Sequence, residues 1–534
     1  MTTRSRTDML LLAGFCAFLF FYGLGAFGLI GADEPRYAQV AREMLDRGDW
    51  ITPVLGGRPW LEKPPLYYWQ AMIAYSVFGV SDLAARIPSA LDATLLVVAV
   101  YFFFRKFRSG GAIDAALIAA SCAGIIGFAR AASTDMPLAA TFGLGMLAWW
   151  AWYESQKKIY LAAFFIFMAL GMLAKGPVAP FLAGVVIVVF AAAAGELRVV
   201  VKTLWPPGVA LFFLIALPWY LGAQMRNPQF FHEFIFEHNL ARFSTNLYHH
   251  PEPLWYYVPV AALALVPWIV LGIAAIAESL RAWWNERNSP EIDHEIRLRI
   301  FACCWFFVPL VFFSLSRSKL PGYILPSVPA GALLLADFLH QHLTENRRVA
   351  KWLIVLHSMV AACTIVPAVL IGFIVTEHHL PAGRPLLFAV STACVVGAAL
   401  VLTLIDASRL RMLRFVTLVP VVLSVAAVLK LGSMAIDRQL SMRPLALELA
   451  SVETHKLPIA VCGAPREVEY GLAFYRNQIV QRYESGDVPP GEHLLVAAPA
   501  WKSNIAVATA GRRVSFLGHY TLQDLDYYWV AAAK

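Results

Sequence analysis

Charge is what this 534-residue chain has least of: Asp, Glu, Lys and Arg make up only 15% of it, against about 25% in a soluble domain. That shortfall excludes an ordinary water-facing enzyme. Cysteine is scarce too. Of seven, Cys16, Cys122, Cys303, Cys304, Cys363 and Cys394 lie in or at the edge of apolar runs, and Cys462 stands alone further on. In such runs a thiol behaves as a small hydrophobe. With no CxxC pair and no disulfide framework, no structural disulfide is expected. An HExxH metal motif is missing. The stretch GLGAFG sits inside an apolar run without the strand–helix context of a nucleotide fingerprint, which disfavours a sugar-nucleotide donor. Internal repeats and low-complexity tracts are absent.

What the chain has instead is hydrocarbon. Hydrophobic residues make up 59% of it and the mean hydropathy is +0.62. Apolar runs long enough to cross a bilayer recur along most of its length. The reading is a mainly α, polytopic membrane protein with about thirteen spans: 9–30, 83–104, 112–129, 137–154, 160–174, 177–194, 206–224, 254–275, 300–316, 322–339, 353–375, 386–405 and 415–436. The first run is too long for a signal-peptide core and lacks a small-residue cleavage site, so it reads as a retained anchor. The loops bearing Arg4/Arg6, Arg105/Lys106/Arg108, Lys157/Lys158, Arg198/Lys202, Arg347/Arg348/Lys351 and Arg409/Arg411/Arg414 fall on one side. By the positive-inside rule that side is the cytoplasm. The amino terminus is then inside and the carboxy-terminal segment outside. Much of the net charge of +8 is positive-inside loop charge beside anionic headgroups, not a nucleic-acid footprint.

The expected organisation is a transmembrane domain over 1–436 and a small outer α/β domain over 437–534. Short alternating runs (LPIAVCG, QIVQRYE, HLLVAAP, RRVSFLG, DYYWVAA) in that tail surround a helix-like REVEYGLAFYRN. Two outer loops hold structure of their own. The first, 31–82, has a charged helix-like segment, a Gly/Pro turn and an aromatic stretch suited to the membrane interface. The second, 225–253, is rich in His and aromatics.

Polar residues at the membrane edge are costly and point to function. On the outer face they gather from several segments. The first loop offers Asp33, Glu34, Arg36, Tyr37, Glu62 and Lys63. The turn ARAASTDMP offers Arg130 and Asp135, and LAKGP offers Lys175. The later loop carries His232, Glu237, His238 and Arg242, and SRSKLPGYILP carries Arg317, Lys319 and Tyr323. Taken singly each has a plain reading. Asp33 and Glu34 suit a helix N-terminus, Lys175 a headgroup anchor, His249 and His250 an exposed loop, and Arg42, Asp46 and Arg47 a wet helix face. Their convergence on one compartment shifts the balance. Arg and Lys bind phosphate through charge-assisted hydrogen bonds. A neighbouring carboxylate takes a proton from an attacking hydroxyl or orients the attacking group, and cations stabilise a departing phosphate. Together these describe glycosyl transfer from a lipid-phosphate sugar.

These residues resemble the bacterial aminoarabinose (4-amino-4-deoxy-L-arabinose) transferase family, within the membrane glycosyltransferase C superfamily that includes protein O-mannosyltransferases. The resemblance rests on DEPRYAQVAREMLDRGDWITPVLGGRPWLEKPPLYYW, TDMP, LAKGP, EHNLARF and SKLPGYI, in that order. It implies spans packed around a cavity open to the outer leaflet, and transfer from undecaprenyl phosphate to a lipid A phosphate on the periplasmic side of the inner membrane. By motif match it implies Asp33 as the catalytic carboxylate and Asp135 as a second active-site acid. Arg36, Tyr37, Lys63, Arg242, Lys319 and Tyr323 fall to substrate or donor-phosphate binding, with Glu34, Lys175 and Arg317 as further site residues. No cofactor is required; Glu62 and His238 are where a divalent metal would bind. Membrane lipids are partners, nucleic acid is not, and a monomer is expected. Within the same reaction class the alternative acceptor is a protein Ser/Thr, another lipid or a glycan. A transporter is the competing class, but it favours polar or broken midplane helices and inverted repeats, whereas these charges gather at span ends.

Overall fold

Away from water a chain must close its own backbone hydrogen bonds, so long apolar runs fold as helices. The computed structural model describes residues 3–108, 110–234, 252–289, 292–344, 349–375, 397, 410–509 and 511–533. Helix α1 (Thr3–Cys16) runs on through a π turn (Ala17–Phe21). The helix then stops at Tyr22, short of the end at Ile30 expected from hydropathy, because Gly23, Gly25 and Gly28 follow and glycine weakens a helix interior. An irregular segment leads to α2 (Asp33–Arg47), a hairpin of β1 (Val54–Leu55) and β2 (Arg58–Pro59), and the short α3 (Leu66–Phe78). The hairpin turns on Gly56 and Gly57, both at positive φ (60° and 75°), as a two-residue reverse turn of this hand requires.

The helical body continues with α4 (Asp82–Phe107), α5 (Ala112–Ser121), α6 (Ala123–Ala129), α7 (Asp135–Ser155), α8 (Lys158–Lys175), α9 (Val178–Ala193), α10 (Arg198–Thr203) and α11 (Pro206–Arg226). Then come α12 (Tyr257–Ala264), α13 (Ile269–Glu286), α14 (His294–Leu315), α15 (Val328–Thr344), α16 (Lys351–Cys363), α17 (Ile365–Val375) and α18 (Leu410–Ala427). Among the described residues seven helices are long and apolar enough to cross a membrane, or nine if two bent pairs each count as one span. This is a multi-pass membrane architecture. The expected span at 386–405 lies outside the described residues apart from Gly397.

The two bent pairs depart from the continuous spans read from hydropathy. The chain bends by 64° between α5 and α6, and by 114° between the helical stretches Leu254–Ala264 and Ile269–Glu286. Pro267 has no N–H to continue the helical ladder. The breaks satisfy each other: the Ala123 N–H donates to the Val266 carbonyl at 2.8 Å, and Trp268 Nε1 donates to Ser121 Oγ at 2.8 Å. Non-helical backbone at membrane depth is tolerated when protein groups satisfy it in this way.

After α19 (Ser433–Leu440) and α20 (Arg443–Val452), the tail forms one mixed sheet. Its elements are β3 (Ile459–Cys462), α21 (Arg466–Arg476), β4 (Val480–Arg482), β5 (His493–Ala497), α22 (Lys502–Ala508), β6 (Val514–Tyr520) and β7 (Leu525–Val530). Strand order is β4-β3-β5-β7-β6, with β3 parallel to β4 and β5, and β7 antiparallel to β5 and β6. Strands β3 and β5 are buried along their whole length, as expected for parallel strands covered on both faces. The tail is latched to the first loop. Tyr475 of α21 donates to Asp82 Oδ1 (2.6 Å) and accepts the Leu29 N–H (2.6 Å). Arg443 pairs with Asp82 at 2.9 Å and Asp437 at 2.8 Å, and Arg42 donates to the Phe474 carbonyl at 3.1 Å.

One buried ion pair sets the position of α2. Arg86 on α4 is 1% exposed and grips Glu34 with two bonds, Nε–Oε1 at 3.0 Å and Nη2–Oε2 at 2.6 Å. The same guanidinium donates to the carbonyls of Leu24 (2.8 Å), Phe27 (2.8 Å) and Gly28 (2.9 Å). Glu34 also accepts from the N–H groups of Ile30 (2.8 Å) and Ala132 (2.7 Å). The glycine-rich exit from α1, the start of α2, the α4 helix and the turn before α7 thus meet at one point. Removing one partner of such a pair strands a buried charge. Arg86→Ala is therefore expected to cost about 3–5 kcal/mol of stability, read as a lowered melting temperature of the purified protein; an unchanged melt contradicts this role.

A second prediction concerns the tail. His493 bonds through its ring nitrogens to Tyr483 Oη at 2.6 Å and the Gly491 carbonyl at 2.9 Å. Burial, with Arg512 adding to it, holds the imidazole below its ordinary value. The fold therefore favours neutral His493, while the unfolded chain takes up a proton below about pH 6.5. The contribution is present above that value and is lost as pH falls through it. Protection of β5 from proteolysis in the intact protein should drop between about pH 7 and pH 5.5, and pH-independent protection contradicts this.

Candidate active site

Two clusters of opposite charges lie close enough for a charge of one to act on the other. The first is built on the opening turn of α2. Asp33 and Glu34 are its first two residues, where acids complement the helix dipole. Successive positions on a helix point about 100° apart. Glu34 turns into the protein towards Arg86, while the Asp33 side chain stays 53% exposed. Arg36 donates to Asp33 Oδ1 at 2.5 Å and to the Tyr37 hydroxyl at 3.3 Å, and lies 3.6 Å from Glu62. Lys63 pairs with Glu62 at 3.1 Å. Glu62 and Lys63 arrive on the segment between β2 and α3, and the Pro64–Pro65 pair that follows keeps Lys63 out of helical conformation. Arg36, Tyr37, Glu62 and Lys63 are all buried.

Electrostatics in this cluster follow from burial and neighbours. Burial works against the Arg36 charge, but Tyr37, Glu62 and Asp33 outweigh it and hold the guanidinium above its ordinary value. Burial, then the Asp33 carboxylate, pushes the Tyr37 hydroxyl well above the usual phenol range, so it stays protonated while it accepts from Arg36.

The second cluster joins three helix ends. Asp135 opens α7, and Lys175, the last residue of α8, forms an ion pair with it. Ser133 Oγ donates to Asp135 Oδ2 and accepts the Asp135 N–H, each at 2.9 Å. The Lys175 ammonium lies 4.7 Å from the centre of the Tyr323 ring. The 3₁₀ turn Pro321–Ser327 approaches so closely that a Cβ on Gly322 would sit 2.6 Å from the Asp135 carboxyl carbon. Lys63 links the clusters, since its charge acts on Asp135 as well as on Glu62.

Most of the expected residues therefore converge: Asp33, Arg36, Tyr37, Glu62 and Lys63 in one cluster, Asp135, Lys175 and Tyr323 in the other. Three are placed differently. Glu34 is 6% exposed and holds the fold through Arg86. Lys319 is buried with its ammonium on the carbonyls of Ser316 (2.6 Å) and Glu252 (2.9 Å), so it staples its own turn. Arg317 is exposed. His238 and Arg242 lie outside the described residues. Among the described residues no group of three or more His, Cys, Asp or Glu comes together as a metal site, and Glu62 is engaged by Arg36 and Lys63. Sequence reading passed over Arg86, although an arginine inside an apolar run was itself a signal. It also missed Ser133, Gly322 and the Trp60 and Tyr470 rings near Arg36, which carry no local signal.

Chemically, Asp33, Glu62 and Asp135 balance Arg36, Lys63 and Lys175. Each cation is held by a carboxylate and is ready to exchange it for a phosphate oxygen, a charge-assisted bond of the same kind.

Residues 7–234 match the family described as dolichyl-phosphate-mannose-protein mannosyltransferase. The chain is 30% identical over 352 residues to the undecaprenyl phosphate-alpha-4-amino-4-deoxy-L-arabinose arabinosyl transferase of Pseudomonas savastanoi pv. phaseolicola, covering 65% of this chain and 64% of the relative. It is 30% identical over 374 residues to the protein of the same description from Serratia proteamaculans, covering 68% and 65%. The chain thus spans just under two thirds of the length of these curated relatives. Its fold is similar to the crystal structure of ArnT from Cupriavidus metallidurans bound to undecaprenyl phosphate, with a TM-score of 0.77 at 22% identity over 98% of this chain and 97% of that one. The stretch matched by the mannosyltransferase family holds both carboxylate clusters apart from Tyr323, and over a longer part of its length the chain is similar to the aminoarabinose transferases, whose fold it shares.

Proposed function

We propose that this protein transfers 4-amino-4-deoxy-L-arabinose from undecaprenyl phosphate to a phosphate of lipid A. The observation that carries the reading is the pairing of two carboxylate–cation clusters, Asp33–Arg36 and Asp135–Lys175, with Lys63 acting on both. The activity of the similar proteins supplies the sugar and the donor lipid.

In this reaction an acceptor phosphate oxygen attacks the anomeric carbon. The bond from that carbon to the donor phosphate breaks, and undecaprenyl phosphate leaves with the electron pair. Lys63 and Lys175 release part of their hold on Glu62 and Asp135 and take the charge that grows on the leaving phosphate. The neutral Tyr37 hydroxyl and the Arg36 fork shape the site beside Asp33. An acceptor phosphate is already anionic near neutral pH, so Asp33 orients it and balances the cations. A hydroxyl acceptor would instead need Asp33 as a general base. The match to a protein mannosyltransferase family favours that second reading, with a protein Ser/Thr as acceptor.

The topology we infer has thirteen spans, the amino terminus in the cytoplasm, and both clusters and the tail on the periplasmic face of the inner membrane. Positive-inside loops support this orientation. We infer a monomer, a form in which one chain supplies both clusters.

Purified protein in detergent, given undecaprenyl-phosphate-linked aminoarabinose and lipid A, should transfer the sugar. Asp33→Asn should lower turnover by at least about 100-fold while keeping the wild-type melting temperature. Full activity of a folded Asp33→Asn protein contradicts the assignment. Gly322→Ala tests the second cluster. It drives a methyl group into the Asp135 carboxylate and should lower turnover about 10-fold or more, and wild-type turnover would show that Asp135 needs no such fit.

A further inference from the structure

Arg36 is walled by three aromatic rings from three separate parts of the chain. Its guanidinium carbon lies 4.9 Å from the centre of the Tyr37 ring, 5.3 Å from that of Trp60 and 5.8 Å from that of Tyr470. Tyr37 comes from α2 itself and Trp60 from the segment after β2. Tyr470 comes from α21, in the tail. The Arg36 Nε is buried without a hydrogen-bond partner among the described residues, so this side of the guanidinium is held by ring faces and not by bonds. Only the two Nη groups reach polar neighbours: Nη2 reaches Asp33 and Tyr37, and Nη1 lies near Glu62.

We propose that Tyr470 is a positioning residue of the active site, a ring delivered by the carboxy-terminal tail that completes the aromatic box fixing Arg36 between Asp33 and Glu62. The inference rests on the reading of Asp33 and Arg36 as site groups. It gives the tail a part in the chemistry: α21 is one wall of the site. A planar guanidinium gains from stacking on an aromatic face, and a desolvated contact of this kind shifts a population by about 2- to 30-fold. Arg36 and Tyr470 are both buried, at 8% and 9% exposure, so the contact is shielded from water. Tyr470 is not what docks the tail. Tyr475 on Asp82 and Leu29, Arg443 on Asp82, and Arg42 on the Phe474 carbonyl do that. Removing the Tyr470 ring therefore loosens Arg36 while the tail stays in place.

The test uses the full chain. Tyr470→Ala should lower the turnover of sugar transfer about 5- to 20-fold, with the donor KM within about two-fold and the melting temperature unchanged. Tyr470→Phe, which keeps the ring, should recover most of the loss. In an Arg36→Lys background, Tyr470→Ala should add no further loss, because the group it positions is gone. A readout independent of the assigned reaction is the rate at which phenylglyoxal modifies Arg36, followed on its own peptide by mass spectrometry. Tyr470→Ala should raise that rate about five-fold or more, and Tyr470→Phe should not. An unchanged modification rate in Tyr470→Ala overturns the proposal, as does a Tyr470→Phe protein as impaired as the alanine variant. Should the wild-type protein transfer no sugar at all, the functional reading fails, and the Arg36 modification rates alone decide the positioning role.

Discussion

The Glu34–Arg86 pair is the constraint from which the rest of the site follows. A charge buried at the membrane edge is tolerated only when it is paired and its remaining hydrogen-bonding capacity is filled. Arg86 meets that condition with Glu34 and three carbonyls of the irregular segment between α1 and α2. Glu34 meets it with two backbone N–H groups, one of them in the turn that leads into α7. Two consecutive acids at the start of one helix thus take opposite duties. Glu34 is committed to the protein, and the helical rotation between neighbours leaves Asp33 facing the site.

The charge arithmetic of the site has a mechanistic consequence. Asp33, Glu62 and Asp135 are matched by Arg36, Lys63 and Lys175. Such a site holds its cations in place before substrate arrives and costs little reorganisation when a phosphate displaces a carboxylate. The Lys175–Asp135 pair, backed by Ser133 and pressed by Gly322, is the tighter of the two. The Asp33 side is more open. In the transfer we propose, that asymmetry suits a closed end that receives the departing phosphate and an open end that admits the acceptor.

Much of this was legible in the sequence, for a physical reason. Charges at the ends of apolar runs are expensive, so Asp33, Arg36, Lys63, Asp135, Lys175 and Tyr323 stood out before any fold was known. Hydropathy also marks where helices must be. It counts apolar residues and is blind to breaks, so it did not show that α1 gives out at Tyr22 or that the α5–α6 and α12–α13 regions bend and cap one another. It could not assign Glu34 to Arg86, because the pairing is made across 52 positions by packing. Tyr470 was harder still. It is one tyrosine in the helix-like piece of the tail, and only the docking of α21 on α2 brings its ring to Arg36.

The stapling of Lys319 to its own turn and the burial of Glu34 narrow the set of groups open to substrate. The resemblance bears on reaction type more than on acceptor, since the matched family is described as a protein mannosyltransferase and the similar proteins as aminoarabinose transferases. The acceptor is therefore where the account is most exposed, and mass spectrometry of lipid A from cells with and without this protein tests it most directly. The account predicts aminoarabinose on the lipid A phosphates only when the protein is present. A lipid A profile unchanged by its removal would contradict the lipid A assignment and favour a protein or glycan acceptor.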